Sequence, residues 1–365
     1  MTTLGTRSLN RALLARQSLL ARTEQPAIEL IEHLVGMQAQ APFPPYYGLW
    51  TRLRDFSPDE LSRLLLRRDV VRIVNLRGTV HLVSAPDALP LRAFTQPLMD
   101  NDLKGNQQYT PLLSGLDLGE VASAATALLA EKPLSSTELG KALATRWPDR
   151  EPTALVYAAR NLLPLVQVPP RAVWGRSGQP TYALATEWLG GQLDPRPDVE
   201  RLILRYLGAF GPASVRDVQT WCGLTKLGEV LERLRHRLRT FRTEDGVELF
   251  DLPDAPRPGP DTRAPVRFVP EYDNLLLSHA DRTRVISDED RKRLFTRNGI
   301  LLAAFLVDGF VRGGWKLKRN KGGTVLEIQP FRRLSKRDTA ALTAEGRRLL
   351  KFAESPGGEV RLLPS

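Results

Sequence analysis

The chain has 365 residues, 42% hydrophobic and 25% charged, the balance of an ordinary folded protein too long for a single core. It has no run of about 18 apolar residues, which excludes the usual membrane-spanning helix, and its one cysteine, Cys222, excludes an internal disulfide and a cysteine-built zinc site. Lys and Arg number 52 against 41 acidic residues, a net of +11, which alone is also what an Arg-rich genome composition gives. The distribution says more. Between Val311 and Lys351 stand twelve basic and three acidic residues, a focused positive surface that suits a polyanion, nucleic acid first. The opening MTTLGTRSLNRALLARQ has neither an uninterrupted apolar core nor a cleavage site, so no secretory signal is expected and the cytoplasm is the simplest location.

In chain order, apolar spacing predicts helices near residues 9–21, 26–36 and 46–54. A further helix starts at SPDE, where Ser57 can cap and Pro58 sits in the first turn. VVRIVNL and TVHLVS then flank Arg77-Gly78 as a hairpin. A second series repeats this order: a helix over 118–130, SSTELGKALATRW with Glu138 near its serines, TALVYAARNLL, then VQVPPRAVWG and TYALAT as paired strands. The third series is the clearest. VERLILRYLGAFG stops at Gly211-Pro212, and SVRDVQTWCG carries Ser214 and Asp217 at capping-box spacing. TKLGEVLERLRHRL follows, and RTFRT and VELFDL flank a Glu244-Asp245-Gly246 turn, a strong hairpin signal. Three helices and a hairpin make a winged helix.

After the proline-dense linker PDAPRPGPDTRAP, expected to be extended, the pattern becomes strand-like through VRFVPEYDNLLLS and GILLAAFLVDGFVRGGWKLKRNKGGTVLEIQPF, with Asp308-Gly309 and Lys321-Gly322-Gly323 as turns. KRDTAALTAEGRRLLKFAE closes as an amphipathic helix. The expected fold class is therefore α+β, three tandem winged-helix units (1–115, 116–195 and 196–255) and a β-rich basic C-terminal domain (262–365). Period two in Trp315-Lys316-Leu317-Lys318 puts the lysines on one strand face and the apolar residues on the other. That face is either simply solvated or, with Arg312, Arg319 and Lys321, pressed against phosphates.

Motifs for common chemistries are missing. There is no P-loop, no His-Glu-x-x-His helix and no acidic cluster for two metals. The four histidines (His33, His81, His236 and His279) stand singly. In PEYDNLLLSH, Glu271 and Asp273 could point to one side of a strand, with turn capping or arginine pairing as the default role. His81, within a predicted strand, is by default a satisfied core histidine. A non-catalytic winged-helix protein, a transcription regulator or a shield for damaged DNA, accounts for all of this.

GMQAQAP, residues 36–42, is harder to place. PAIELIEHLVG packs its apolar face inward, Gly36 weakens the helix end and Pro42 disfavours helix at Ala41. Gln38 and Gln40 therefore sit at or past a helix end. In an extended backbone their amides point the same way; in a helix they lie about 200° apart. Spacing alone permits two amides that cap loose backbone groups.

GMQAQAP, VVRIVNLRGTVHLVSA, RYLGAFGPASVRDVQTWCGL, VPEYDNLLLSHADR and DGFVRGGWK, in this order over nearly the whole chain, resemble the AlkZ/YcaQ family of bacterial DNA glycosylases. The resemblance implies tandem winged helices with a β-rich domain, and Gln38 and Gln40 match the catalytic Gln-x-Gln of the AlkZ branch. It implies excision of bulky N7-alkylguanine from duplex DNA, crosslinks included, in self-resistance to an alkylating natural product. No cofactor or metal is expected, the partner is double-stranded DNA with alkylated guanine, and a monomer is expected. Without a lysine or N-terminal amine as nucleophile the enzyme would be monofunctional and leave an abasic site. Arg77 and His81, within a resembling segment, are candidates to line the site. Arg312, Lys316, Lys318, Arg319 and Lys321 are candidates for DNA contact.

Overall fold

The structure, a computed structural model, describes residues 2–295, 301–320 and 323–364. The N-terminal helices are Thr6–Arg16, Ala27–His33, Pro44–Arg52 and Pro58–Leu66, each within a few residues of its predicted place. The Ser57 side chain accepts from the Asp59 N–H at 3.3 Å, so the last of these starts as expected. Strands Val70–Val74 and Val80–Ser84 form the first hairpin. Its turn holds Arg77 and Gly78 in left-handed backbone, at φ +56° and +69°.

The hairpin runs into a 21-residue helix, Ala85–Gly105, that apolar spacing did not reveal. Pro90 and Pro97 read as breakers in the sequence yet lie inside it. Each removes one helical hydrogen bond, and burial of Ala88, Leu91, Phe94, Met99 and Leu103 along the helix offsets the loss.

The second series comprises helices Leu118–Glu131, Ser136–Ala144 and Pro152–Leu162 and strands Leu165–Gln167 and Thr181–Leu184. A full capping box joins Ser135 and Glu138. The third comprises helices Val199–Phe210, Val215–Cys222 and Gly228–Leu234 and strands Arg239–Thr243 and Glu248–Asp251. The Ser214–Asp217 box is present, and Gly223 ends its helix at φ +87°.

Strand pairing crosses these series. One six-stranded antiparallel sheet runs Met37–Gln38, Val80–Ser84, Val70–Val74, Leu165–Gln167, Thr181–Leu184, Leu134–Ser135. The first two hairpins join through Arg72–Gln167 and Ile73–Val166. Thr2–Leu4 adds in parallel to Arg239–Thr243. Both pairings cover strand edges that would otherwise expose unpaired backbone.

A third sheet carries Arg267–Val269, Ala304–Val307, Phe310–Asn320, Gly323–Pro330 and Glu359–Leu362, with helix Lys336–Phe352 packed on it. The strand expected over VRFVPEYDNLLLS ends at Val269. A turn with Tyr272 at φ +59° and a short helical turn, Asn274–Leu276, follow. Glu271 and Asp273 thus do not share the face of one strand. Lys321 and Gly322 lie outside the described residues.

The proline-dense stretch 253–265 has no regular structure, but it is tied to the first helix rather than free. Arg7 and Arg11 donate through Nε to the carbonyls of Pro260 and Thr262 at 2.7 and 2.6 Å. Arg16 makes a fully buried two-pronged pair with Asp251 at 2.6 and 2.8 Å. Arg52 does the same with Asp273 at 2.8 and 2.7 Å. The largest apolar core draws residues from Leu13 to Val311, through all three hairpin series and into the C-terminal sheet. Among the described residues, no helix is long and apolar enough to cross a membrane.

Candidate active site

Gly36 sets the path of the Gln-x-Gln segment. Its φ is +90°, and a Cβ there would lie 2.7 Å from the Val83 side chain, so only glycine fits without displacement. The chain then becomes the edge strand Met37–Gln38, with Gln38 opposite His81. The Ala39 N–H donates to the Val80 carbonyl at 2.7 Å. Buried Arg72 donates to the Ala39 carbonyl at 2.7 Å and to Gln167 Oε1 at 2.6 Å. The backbone between the two glutamines is held from both sides.

Gln38 is buried, at 7% exposure, and Gln40 is exposed. Gln38 Oε1 accepts from Arg77 Nη2 at 2.9 Å. The same nitrogen lies 3.0 Å from Asn274 Oδ1 and 3.3 Å from His81 Nε2, and Arg77 Nη1 donates to the Trp221 carbonyl at 2.5 Å. His81 Nδ1 is 3.0 Å from the Thr79 carbonyl. A carbonyl only accepts, so the ring proton sits on Nδ1, and Nε2 keeps its lone pair toward the guanidinium. Burial first, and Arg77 second, push the His81 pKa down to about 3. Burial lowers that of Arg77 to about 10. Asn274 Nδ2 donates to the Gly36 carbonyl at 3.1 Å, closing the network. Gln40 Oε1 accepts from the Val80 N–H at 3.2 Å.

Gln38 opens on a narrow cleft of about 10 Å³, lined also by Met37, Pro44, Pro45, Glu271 and Asn274. The Arg52–Asp273 pair lies in its wall. Glu271 is exposed, and desolvation raises its pKa against the opposing charge of Lys316. A more open cleft of about 260 Å³ adjoins it, sharing Pro44, Pro270 and Glu271; Ala41, Phe43, Tyr47 and Trp315 give it apolar walls.

The structure thus brings Gln38, Gln40, Arg77 and His81 together around one turn. Asn274 and the Trp221 carbonyl, which complete the group, were not anticipated. Asn274 stands inside VPEYDNLLLSHADR, a stretch already singled out by resemblance, whereas a backbone carbonyl from a remote helix has no signature in sequence.

On the long hairpin, Trp315 and Leu317 are half-buried and Lys316 and Lys318 exposed, so the period-two pattern holds. Lys316 lines the cleft beside the glutamines. Lys318 pairs with Glu327 at 2.8 Å, and Arg319 donates to the Ala353 carbonyl at 3.0 Å. Arg312 is exposed in a separate charged cleft with Arg332 and Arg333.

Chemically, the turn offers two neutral amides on fixed backbone. His81 has both nitrogens engaged and is neutral at ordinary pH, so it is not a ready base.

A family profile described as DNA glycosylase AlkZ-like matches residues 31–352. The interstrand DNA cross-link repair glycosylase of Streptomyces sahachiroi is 24% identical over 346 residues, 87% of this chain and 88% of that protein. The solved structure of the Streptomyces sahachiroi DNA glycosylase AlkZ superposes with a TM-score of 0.83, at 19% identity, over 99% of this chain and 100% of that one. That likeness carries the mixed α/β fold.

Proposed function

We propose, on the premise that the chain belongs to the AlkZ-like family of DNA glycosylases, that this DNA glycosylase hydrolyses the N-glycosidic bond of bulky N7-alkylguanine in duplex DNA. Gln38 and Gln40 are its catalytic residues. The observation that carries this reading is the pair of uncharged amides anchored on one sheet edge, Gln38 through Arg77 and Gln40 through the Val80 N–H.

A glutamine takes no proton and cannot be a general base. Its carbonyl keeps a second lone pair that can accept from water and orient it. Such help is modest, so it suits a bond that is already weak. Alkylation at N7 makes the base cationic. The bond to C1′ breaks with its electron pair going to the base, which leaves neutral, and water adds to the oxocarbenium-like sugar and releases its proton to solvent. Catalysis is then mostly placement of one water at C1′, and the product is an abasic site without strand cleavage.

A bulky adduct resists extrusion into a closed pocket. An open cleft beside the glutamines avoids that step. The role of the Streptomyces sahachiroi relative in interstrand cross-link repair supports crosslinks as substrates. A role in self-resistance to an alkylating natural product, and action in the cytoplasm as a monomer, belong to the same reading. So does the division into three winged-helix units (1–115, 116–195, 196–255) and a DNA-gripping C-terminal domain (262–365). Within that domain Arg312 and Lys316 are the best placed for phosphate, because Lys318 and Arg319 already have partners.

The test is incubation with a duplex carrying one N7-alkylguanine, then hot alkali. Strand breaks above control are expected, and Gln38→Ala and Gln40→Ala should each remove the excess while DNA binding stays near normal. If both variants cleave as the parent does, the glutamines are not catalytic. If the parent gives no excess, the protein is a binder, a regulator or a shield.

A further inference from the structure

We infer that Arg77 is the positioning residue for Gln38, fixing the amide so that its oxygen, with one lone pair left for water, and not its nitrogen takes the inward place. The inference rests on the catalytic reading of Gln38. A terminal amide has a broad, roughly two-fold torsion, and half a turn exchanges its oxygen for its nitrogen. For a group that must hold a water, that exchange turns an acceptor into a donor. A guanidinium only donates. With Arg77 Nη2 at 2.9 Å, Gln38 is held with Oε1 inward, and the flipped state would set N–H against N–H. Arg77 takes one lone pair of Oε1, and the second is the one left to accept from water.

Two features make Arg77 suited to this and to little else. First, its hydrogen-bond acceptors are all neutral: the Gln38 and Asn274 side-chain oxygens, His81 Nε2 and the Trp221 carbonyl. Among the described residues no carboxylate competes for its N–H groups, so its charge polarises the Gln38 carbonyl. Second, its own position is over-determined. The backbone is left-handed at φ +56°, and a Cβ on Gly223 would lie 3.2 Å from Arg77 Cα, so the end of helix Val215–Cys222 abuts the turn. Four chain regions, around residues 38, 77–81, 221 and 274, converge on one guanidinium. Among the described residues Gln40 has only a neutral backbone N–H, at 3.2 Å. Gln38 is therefore the fixed member of the pair and Gln40 the adaptable one.

The experiment is a double-variant cycle on a duplex carrying one nitrogen-mustard monoadduct at guanine N7, reading the single-turnover excision rate, the Kd for the same duplex and the melting temperature. Arg77→Met should slow excision by about 100-fold, the scale of a misplaced positioning group, with Kd unchanged within about two-fold. Arg77→Lys, which keeps the charge but not the fork, should fall between. Gln38→Ala with Arg77→Met should be no slower than Gln38→Ala alone, because a residue that acts only through Gln38 has nothing left to lose.

Multiplying losses in the double variant would overturn the inference, as a general structural role predicts. So would a raised Kd with an unchanged rate, which would make Arg77 a phosphate contact. If Arg77→Met does not fold, Arg77→Lys carries the same cycle. If Gln38→Ala excises like the parent, the catalytic reading falls and this inference with it; if Gln38→Ala is dead and Arg77→Met is fast, this inference falls alone.

Discussion

Single residues here carry unusually large electrostatic loads. Arg52 and Asp273 are almost wholly buried and meet through two hydrogen bonds. Removing one charge strands the other, so Asp273→Asn should cost about 3–5 kcal/mol, seen as a lower urea midpoint; a shift near zero would mean the pair is hydrated. His81 makes a pH prediction. Its folded pKa is about 3, below the value of about 6.5 for an unfolded histidine. Below pH 6.5 the unfolded chain therefore binds one proton more than the native one, and stability falls as pH drops, until about 3. From pH 6.5 to 5 this one group should remove about 2 kcal/mol. Burial lowers the pKa of His279 as well, so it acts in the same direction. His81→Asn should show a correspondingly smaller loss in urea melts at the two pH values, and an equal loss would refute the buried neutral state. At this scale the glutamines were visible in sequence as a pair needing explanation, but their partners were not. A two-residue spacing says nothing about which donor meets which amide, and Asn274 and Trp221 are brought in by tertiary packing.

Among elements, caps and turns were the most legible parts. Ser57, Ser135 and Ser214 cap helices where serine spacing pointed, because caps are local chemistry. The helix Ala85–Gly105 was missed because two prolines argue against it and its supporting contacts are distant. The short strand Met37–Gln38 was missed because pairing with Val80–Ser84, not propensity, creates it. The long hairpin shows the same limit: alternation put Lys316 and Lys318 on one face, but could not show that Glu327 takes Lys318. The salt dependence of DNA binding should reflect that difference. Lys316→Ala and Arg312→Ala should each lower the slope of log Kobs against log salt by about one. Lys318→Ala should change it less, since that charge is already paired. Equal changes for all three would show that the Glu327 pair opens on DNA.

Across the molecule, the sequence reads as units in series, yet the structure ties them into a continuous body. A sheet shared by the first two hairpins, a first strand added to the third, and a core running from Leu13 to Val311 all cross the sequence boundaries. Repeating helix–hairpin order is visible because each unit's local signals recur, whereas edge-to-edge pairing depends on surfaces that only tertiary structure creates. The candidate site needs that continuity, since Arg77 is gripped by segments 144 and 197 residues further along the chain. Asp251 tests it. It anchors Arg16 from the first helix and Arg257 from the proline-dense stretch, at 2.6 and 2.5 Å. Asp251→Asn removes the charge opposite a fully buried arginine and should cost about 3–5 kcal/mol. If the body unfolds cooperatively, that loss moves one transition for the whole chain, and excision at the proposed Gln38 site, far along the chain from residue 251, disappears at the same lowered temperature. A separate early transition with excision intact would mean that the third hairpin opens alone, and that the site does not depend on it.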